Sequence, residues 1–279
     1  MPSNEPYKFP TKEKGIKKTV DALKWQRLED LFPTKRPLIF KDKIESGVSS
    51  LARQFVPQLE ELFVTKNELK DPIGDEDHSP VKGLIHRYKD RVLLNLTYQC
   101  AVHCRFCFRK SKVSQSQFNP NSEEIHRALN YIQDHKEIKE VIFSGGDPFY
   151  TSNALLKDTL ENINAIQSVR RIRFHTRIPT VLPKRFNSEL LNILEQSKQK
   201  VWVVAHINSP LEFTPESDRA IEALRKRGVQ VLMQTVLLKG VNDRIELLKE
   251  LLEKAIENQV LPYYLHYPDL VEGTSHFRV

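Results

Sequence analysis

From Arg91 onward the chain alternates short apolar runs with amphipathic stretches, and no other feature restricts its fold so strongly. The runs are RVLLNLTY, EVIFSG, RRIRFHT, KVWVVAHI, VQVLMQTVLL and VLPYYLHY. Their cores are rich in Val, Ile, Leu and aromatic residues, as strands buried on both faces are. Between them, SEEIHRALNYIQDHKEI places Ile125, Ala128, Leu129 and Ile132 on one helical face, with Ser122 as N-cap. DRIELLKELLEKAIENQ does the same with Ile245, Leu248, Leu252 and Ala255 behind Asp243. Six strands alternating with helices predict a parallel α/β fold with right-handed crossovers. Six units suit an open, partial (β/α)6 barrel better than a closed eightfold ring. In such folds the chemistry gathers at the C-terminal ends of the strands.

The first 85 residues are punctuated by proline and helix-like in pieces such as VSSLARQFVPQLEELF. They are expected to form a mainly helical N-terminal extension, 1–85, ahead of a core domain at 86–279. No apolar run approaches the length of a bilayer span, and MPSNEPYKFPTKEKGIKK lacks the apolar stretch of a secretory leader. The expected compartment is the reducing cytoplasm. The net charge of +7, from 43 basic and 36 acidic residues, is scattered, with knots at KEKGIKK, RRIR and RKRG. It reads as solvated surface, with a soft attraction for an acidic partner as the alternative. Neither a membrane nor direct nucleic-acid contact is expected.

Every cysteine of the chain, Cys100, Cys104 and Cys107, lies in CAVHCRFCFRK. An odd number at C-x3-C-x2-C spacing in a reducing compartment points to metal or catalysis before disulfides. Three thiolates can each take one iron of a 4Fe–4S cluster, whose full ligation needs four. One iron then stays open, and an open position marks a catalytic metal site. The competing use is zinc held by the three thiolates and His103.

The pattern C-x3-C-x-Phe-C, with Phe106 before the last thiol, resembles the radical S-adenosylmethionine superfamily. There the amino and carboxylate groups of the cosubstrate's methionine chelate the open iron. An electron from the reduced cluster then releases a 5′-deoxyadenosyl radical. SGGDPF after the second strand strengthens the resemblance, which implies that Ser144, Gly145, Gly146 and Asp147 bind S-adenosylmethionine. Glycine lets a ligand approach the backbone closely. On that ground Gly145→Val is expected to weaken cosubstrate binding and leave the cluster intact. His175 of RFHTRIP, His206 of VAHIN and Gln234 on the fifth run fall where the superfamily lines its adenosyl pocket.

SPVKGLIHRYKDRVLLNLTYQCAVHCRFCFRK, QTVLLKGVND and LPYYLHYPDLVEGTSHFR extend the likeness over residues 70–279. In order and spacing they are similar to the lysine 2,3-aminomutase family. That resemblance implies pyridoxal 5′-phosphate, 1,2-amino migration on L-lysine to give β-lysine, and reduced flavodoxin or ferredoxin as electron donor. It leaves room for a homo-oligomer. It also implies that Arg87, with Arg91 beside it, pairs with the cofactor phosphate, as a planar guanidinium suits. Arg109 would bind the substrate α-carboxylate and Asp269 the distal amino group. CFRK and YYLHYPD lean toward the relative that makes β-lysine for elongation factor P, and other stretches toward the catabolic mutase. The family's Schiff-base lysine and a second substrate aspartate lie beyond HFR. With the sequence ending at Val279, the expectation is a chain that assembles its cluster, holds pyridoxal phosphate weakly and turns over little.

Overall fold

The computed structural model describes residues 17–279, so most of the KEKGIKK knot lies outside the described residues. A seven-stranded sheet organises the chain, its strands lying side by side in chain order. Strand β1 (Leu84–Tyr88) runs antiparallel to β2 (Arg91–Leu94). From β2 onward the sheet is parallel: β3 (Glu140–Phe143), β4 (Arg171–Thr176), β5 (Lys200–His206), β6 (Gln230–Val236) and β7 (Leu261–His266). The six expected strands are β2 to β7. The unexpected β1 starts at Leu84, ahead of residue 86, and forms a hairpin over Lys89 and Asp90, a turn without the usual Asn-Gly or Asp-Gly signal.

Nine helices complete the described residues: α1 (Lys17–Leu31), α2 (Lys41–Glu45), α3 (Ser49–Phe55), α4 (Ser122–Asp134), α5 (Asn153–Ala165), α6 (Ile178–Val181), α7 (Ser188–Glu195), α8 (Pro215–Lys226) and α9 (Ile245–Glu257). Helix α4 buries Ile125, Ala128, Leu129 and Ile132 as expected, but its N-cap is Asn121, not Ser122. Asn121 and Glu124 form a reciprocal capping box, which satisfies two backbone donors at once. In α9 the expected apolar face is trimmed: Leu251 and Ala255 are buried, whereas Ile245 at its first position is 79% exposed.

Alternation along the strands sorts the side chains onto two faces. Val92, Leu94, Val141, Phe143, Ile172, Phe174, Val203, Val231 and Met233 face the helices and join the main core. Phe174 stacks between Phe143 and Phe149, with centroids 4.6 and 4.7 Å away. The opposite face carries Arg173, His175, His206, Gln234, Tyr264 and His266, an unusual load of polar groups for a sheet interior. Arg173 Nη1 donates to the Tyr264 hydroxyl at 3.1 Å across two intervening strands. Such a reach requires that face to curve into a lumen, as in a partial barrel.

The N-terminal segment packs on this core. Pro57 ends α3 early, since it lacks the N–H a helix needs and restricts the residue before it. Phe40, Ile44, Leu51 and Phe55 then cluster with Val102 of the cysteine loop and Val181 of α6. Farther on, Leu69 forms a bridge with Val271, and Glu68 accepts hydrogen bonds from Gly273 N and Arg278. Residues 61–69 therefore strap the segment after β7.

Candidate active site

The loop after β2 carries all three cysteines, at the C-terminal end of the first parallel strand. It is held from the N-terminal side. His103 N donates to Lys35 O, and Arg105 N donates to Gln54 O at 2.9 Å. The fully buried Arg105 side chain pairs with the equally buried Glu61 at 2.8 Å. Both ring nitrogens of His103 are engaged, with Pro33 O and Ser114 Oγ, so His103 is no free fourth ligand for zinc. Among the described residues, no three His, Cys, Asp or Glu side chains converge on a position for one metal ion. Three thiols on one loop can each take a different iron of a cluster.

Burial pushes all three thiols up, Cys107 to about 11 and Cys100 well above its ordinary value. A bound metal supplies the positive charge that holds such sulfurs as thiolates. Cys104 also accepts a hydrogen bond from Arg177 Nη1 at 2.9 Å.

The SGGD turn closes onto the base of this loop. Gly146 N donates to Thr97 O at 2.8 Å and Asp147 N to Gln99 O at 2.9 Å. Gly145 has φ +102°, in the region that favours glycine, and a Cβ there would stand 2.7 Å from Thr97 O. A Cβ on Gly146 would stand 2.4 Å from Gln99 O. The glycines are thus demanded by the cysteine loop itself, and the expectation that Gly145→Val spares the cluster is corrected. Asp147 is buried, and burial raises its carboxyl to about 6. Its oxygens accept from Thr176 Oγ1, Arg177 N and Phe149 N, so it ties the turn to the end of β4.

Arg109 is buried two residues after Cys107. Its Nε donates to Asp75 Oδ2 at 2.8 Å and its Nη1 to Ser144 Oγ at 3.1 Å. Asp269, on the loop strapped by Leu69, lies within the fields of His266, Arg109 and Asp75, and partial desolvation raises its carboxyl. Arg109, Ser144 and Asp269 are thereby brought to one end of the lumen. His175 projects into the same space with a buried, unpartnered Nε2. Burial, aided by Arg173, lowers it to about 3, so the ring is neutral. Gln234 is its neighbour. His206 is held well below its ordinary value by burial and packs edge-on against Phe106, with centroids 5.5 Å apart. A neutral ring with a free nitrogen fits a nucleoside's polar edge.

At the other end of the lumen, Arg91, Arg171, Arg173, Glu140, Trp202 and Tyr263 line a cavity of about 300 Å³. The three guanidiniums outnumber the two carboxylates that pair with them, Asp90 and Glu140, which leaves the place positive and fits a phosphate. Arg87 does not line it. Irregular pairing between Ile85 and Tyr88 turns Arg87 outward, and it is exposed beside Gly74. A second cavity, of about 510 Å³, lies outside the lumen between α1 and Lys110–Phe118, and holds none of these groups.

Sequence reasoning missed Asp75, Gln54, Arg177 and Glu212. Glu212 alone had a readable signal, because SPLE has the Ser-x-x-Glu form of a capping box, which the structure contains.

An open parallel half-barrel with three thiols on its first loop and a glycine turn on its second defines a radical S-adenosylmethionine protein. Consistent with this, the Radical SAM superfamily profile matches residues 94–252. The chain is 39% identical to the L-lysine 2,3-aminomutase of Methanococcus maripaludis over 91% of its length and 59% of that protein's. It is 34% identical to the L-lysine 2,3-aminomutase of Buchnera aphidicola, covering 95% of this chain and 78% of that one. For the Haemophilus influenzae enzyme of the same name the identity is 37%, over 89% and 74%. The chain belongs to the L-lysine 2,3-aminomutase family. It spans about six-tenths of the Methanococcus relative's length. A solved radical SAM methyltransferase from Sphaerobacter thermophilus, 18% identical with a TM-score of 0.44 over 65% of this chain and 57% of that one, is too distant to bear on the site.

Proposed function

We propose that the chain catalyses migration of the amino group of L-lysine between adjacent carbons, giving β-lysine. The observation that supports this reading is a buried guanidinium, Arg109, with the Asp269 carboxylate in its field at one end of a lumen. A buried guanidinium and a carboxylate there offer opposite charges to the two ends of a diamino acid. A monoamino acid would leave Asp269 without a partner.

Cys100, Cys104 and Cys107 would hold the 4Fe–4S cluster, with Ser144, Gly145 and Gly146 beside it for S-adenosylmethionine. Arg91, with Arg171 and Arg173, would hold the phosphate of pyridoxal phosphate. When bound, these groups supply a 5′-deoxyadenosyl radical able to remove an unactivated hydrogen, and an electron sink for the migrating nitrogen. The chain's own work is binding and orientation. Arg109 fixes the carboxylate end, Asp269 the ammonium end, and the neutral His175 offers a nitrogen without competing for a proton. A small reduced flavodoxin- or ferredoxin-type protein would deliver the electron. Supply of β-lysine for elongation factor P would use this same reaction.

The test is anaerobic incubation of the reconstituted protein with L-lysine, S-adenosylmethionine, pyridoxal phosphate and dithionite, with products separated chirally. β-Lysine that depends on both S-adenosylmethionine and reductant is expected, and its yield tests the low turnover that the sequence leads one to expect. Formation of 5′-deoxyadenosine with lysine untouched and another amino acid consumed would overturn the reading.

A further inference from the structure

Arg177 begins the short α6 directly after β4, and its guanidinium is buried. Nothing about its sequence position explains why a permanent cation should be kept there. Its surroundings do. Nη2 donates to Glu212 Oε2 at 3.0 Å and to Gln54 Oε1, while Nη1 donates to Cys104 Sγ at 2.9 Å. The plane lies over Phe55 at 4.5 Å and near Phe106 at 5.5 Å, so two aromatic rings flank the guanidinium that meets the sulfur.

Glu212 is fixed in turn. Its Oε1 accepts from Asn208 N at 2.9 Å, Ser209 N at 3.1 Å and Gln54 Nε2 at 3.3 Å, and its Oε2 accepts from Thr180 Oγ1 at 3.3 Å. Gln54 Oε1 also accepts from Asn208 Nδ2 at 3.0 Å. Four segments of the chain therefore converge to hold one N–H against one sulfur. A buried ion pair of this kind is poor value for stability, because both charges lose their hydration. Aiming the cation at a thiol gives the arrangement a purpose that stability does not.

We propose that Arg177 is a positioning residue for the iron–sulfur cluster, donating an N–H···S hydrogen bond to the Cys104 sulfur and making the cluster easier to reduce. The inference rests on the cluster assignment made above. Hydrogen bonds to cluster sulfurs and the local charge are among the determinants of reduction potential. Reduction adds one electron and hence negative charge to the cluster. A donor aimed at a ligand sulfur stabilises that more negative state, and the low dielectric around Phe55 and Phe106 strengthens the effect.

The experiment uses the reconstituted full chain and its Arg177→Gln and Arg177→Lys variants. Each is titrated anaerobically with dithionite, which supplies one electron per cluster, in the presence of mediators, and followed by electron paramagnetic resonance. Iron content at the parent level with a midpoint displaced to more negative potential is expected for Arg177→Gln, and a smaller displacement for Arg177→Lys. An unchanged midpoint in a fully loaded Arg177→Gln protein would overturn the proposal. A second arm needs no variant: parent protein labelled with 15N-arginine is reduced and its nitrogen hyperfine coupling measured. A coupling from one arginine to the cluster spin that disappears in Arg177→Lys is expected, and its absence from the reduced parent would overturn the proposal even if the variants fail to load. Failure of the parent itself to take up iron would instead sink the cluster reading.

Discussion

Asp75 and Arg109 meet edge-on, with Nε and Nη2 of the arginine each 2.8 Å from the same carboxylate oxygen. The carboxylate comes from the loop before β1 and the guanidinium from the turn after Cys107, so the pair sets the angle at which Arg109 faces the lumen. Removing Asp75 strands a buried cation. Asp75→Ala should destabilise the fold by about 3–5 kcal/mol in urea melts. Arg109→Lys should keep the charge but lose the planar fork, and so lower lysine affinity roughly ten- to a hundredfold, since one charge-assisted hydrogen bond contributes about 1.5–3 kcal/mol. Equilibrium binding of labelled lysine checks the second expectation, and an unchanged affinity would remove Arg109 from the site.

Each cysteine should be indispensable to the cluster. Cys100→Ala, Cys104→Ala and Cys107→Ala are expected to carry no stable 4Fe–4S centre after anaerobic reconstitution, as read by iron and sulfide analysis. Stoichiometric zinc without iron in the parent protein would defeat the assignment.

The glycine turn should not be separable from the cysteine loop. Gly146→Ala puts a methyl carbon where Gln99 O and Tyr98 C lie 2.4 and 2.5 Å away, both backbone atoms that cannot swing aside. The variant is therefore expected to lose iron together with cosubstrate binding. Full iron content with only cosubstrate binding impaired would show that the loop yields more easily than its packing implies.

Acid should destabilise the metal-free chain through its buried histidines. His175 titrates near 3 when folded and ordinarily at 6.5, so the unfolded chain takes up its proton first. That stability is complete above pH 6.5 and is lost as pH falls toward 3. Asp147 works the other way: raised from 3.8 to about 6, it favours the folded state increasingly as pH falls through that window. The histidine window is wider, and His206 and His276 are displaced in the same direction, so the histidines win. Urea melts between pH 7 and 4 should show stability falling, with a shallower slope in His175→Gln and a steeper one in Asp147→Asn. A slope unchanged by His175→Gln would remove that histidine from the balance.

The apolar runs made β2 to β7 legible, because the residues facing the helices keep their apolar pattern even where the lumen face is polar. β1 was not, since its LIHRY carries three titratable residues, His86, Arg87 and Tyr88, on an edge position where burial imposes no pattern. The thiols could be read from spacing alone. The residues that hold them could not: Gln54 meets Arg177 and Glu212 across 123 and 158 positions of sequence, and those two meet across 35, and no local spacing encodes such a meeting. Asp75 is hidden for the same reason, 34 positions from Arg109 in an acidic loop that reads as surface. Asp147 shows the converse. Its motif marks it for a ligand, yet its oxygens are spent on the neighbouring strand.

A sheet whose strands lie in chain order can be laid down as the chain leaves the ribosome, each βα unit finding its predecessor already in place. The Gln54–Arg177–Glu212 knot is an exception, as is the strap of residues 61–69, because α3 is made early and must wait for residues up to 158 positions later. Loop closure over such distances comes late in folding. Until Glu212 emerges, Gln54 already meets the loop through Arg105 N, but Arg177 lacks the carboxylate that fixes its guanidinium against Cys104. The contact that aims a cation at the Cys104 sulfur is therefore among the last that the chain can make.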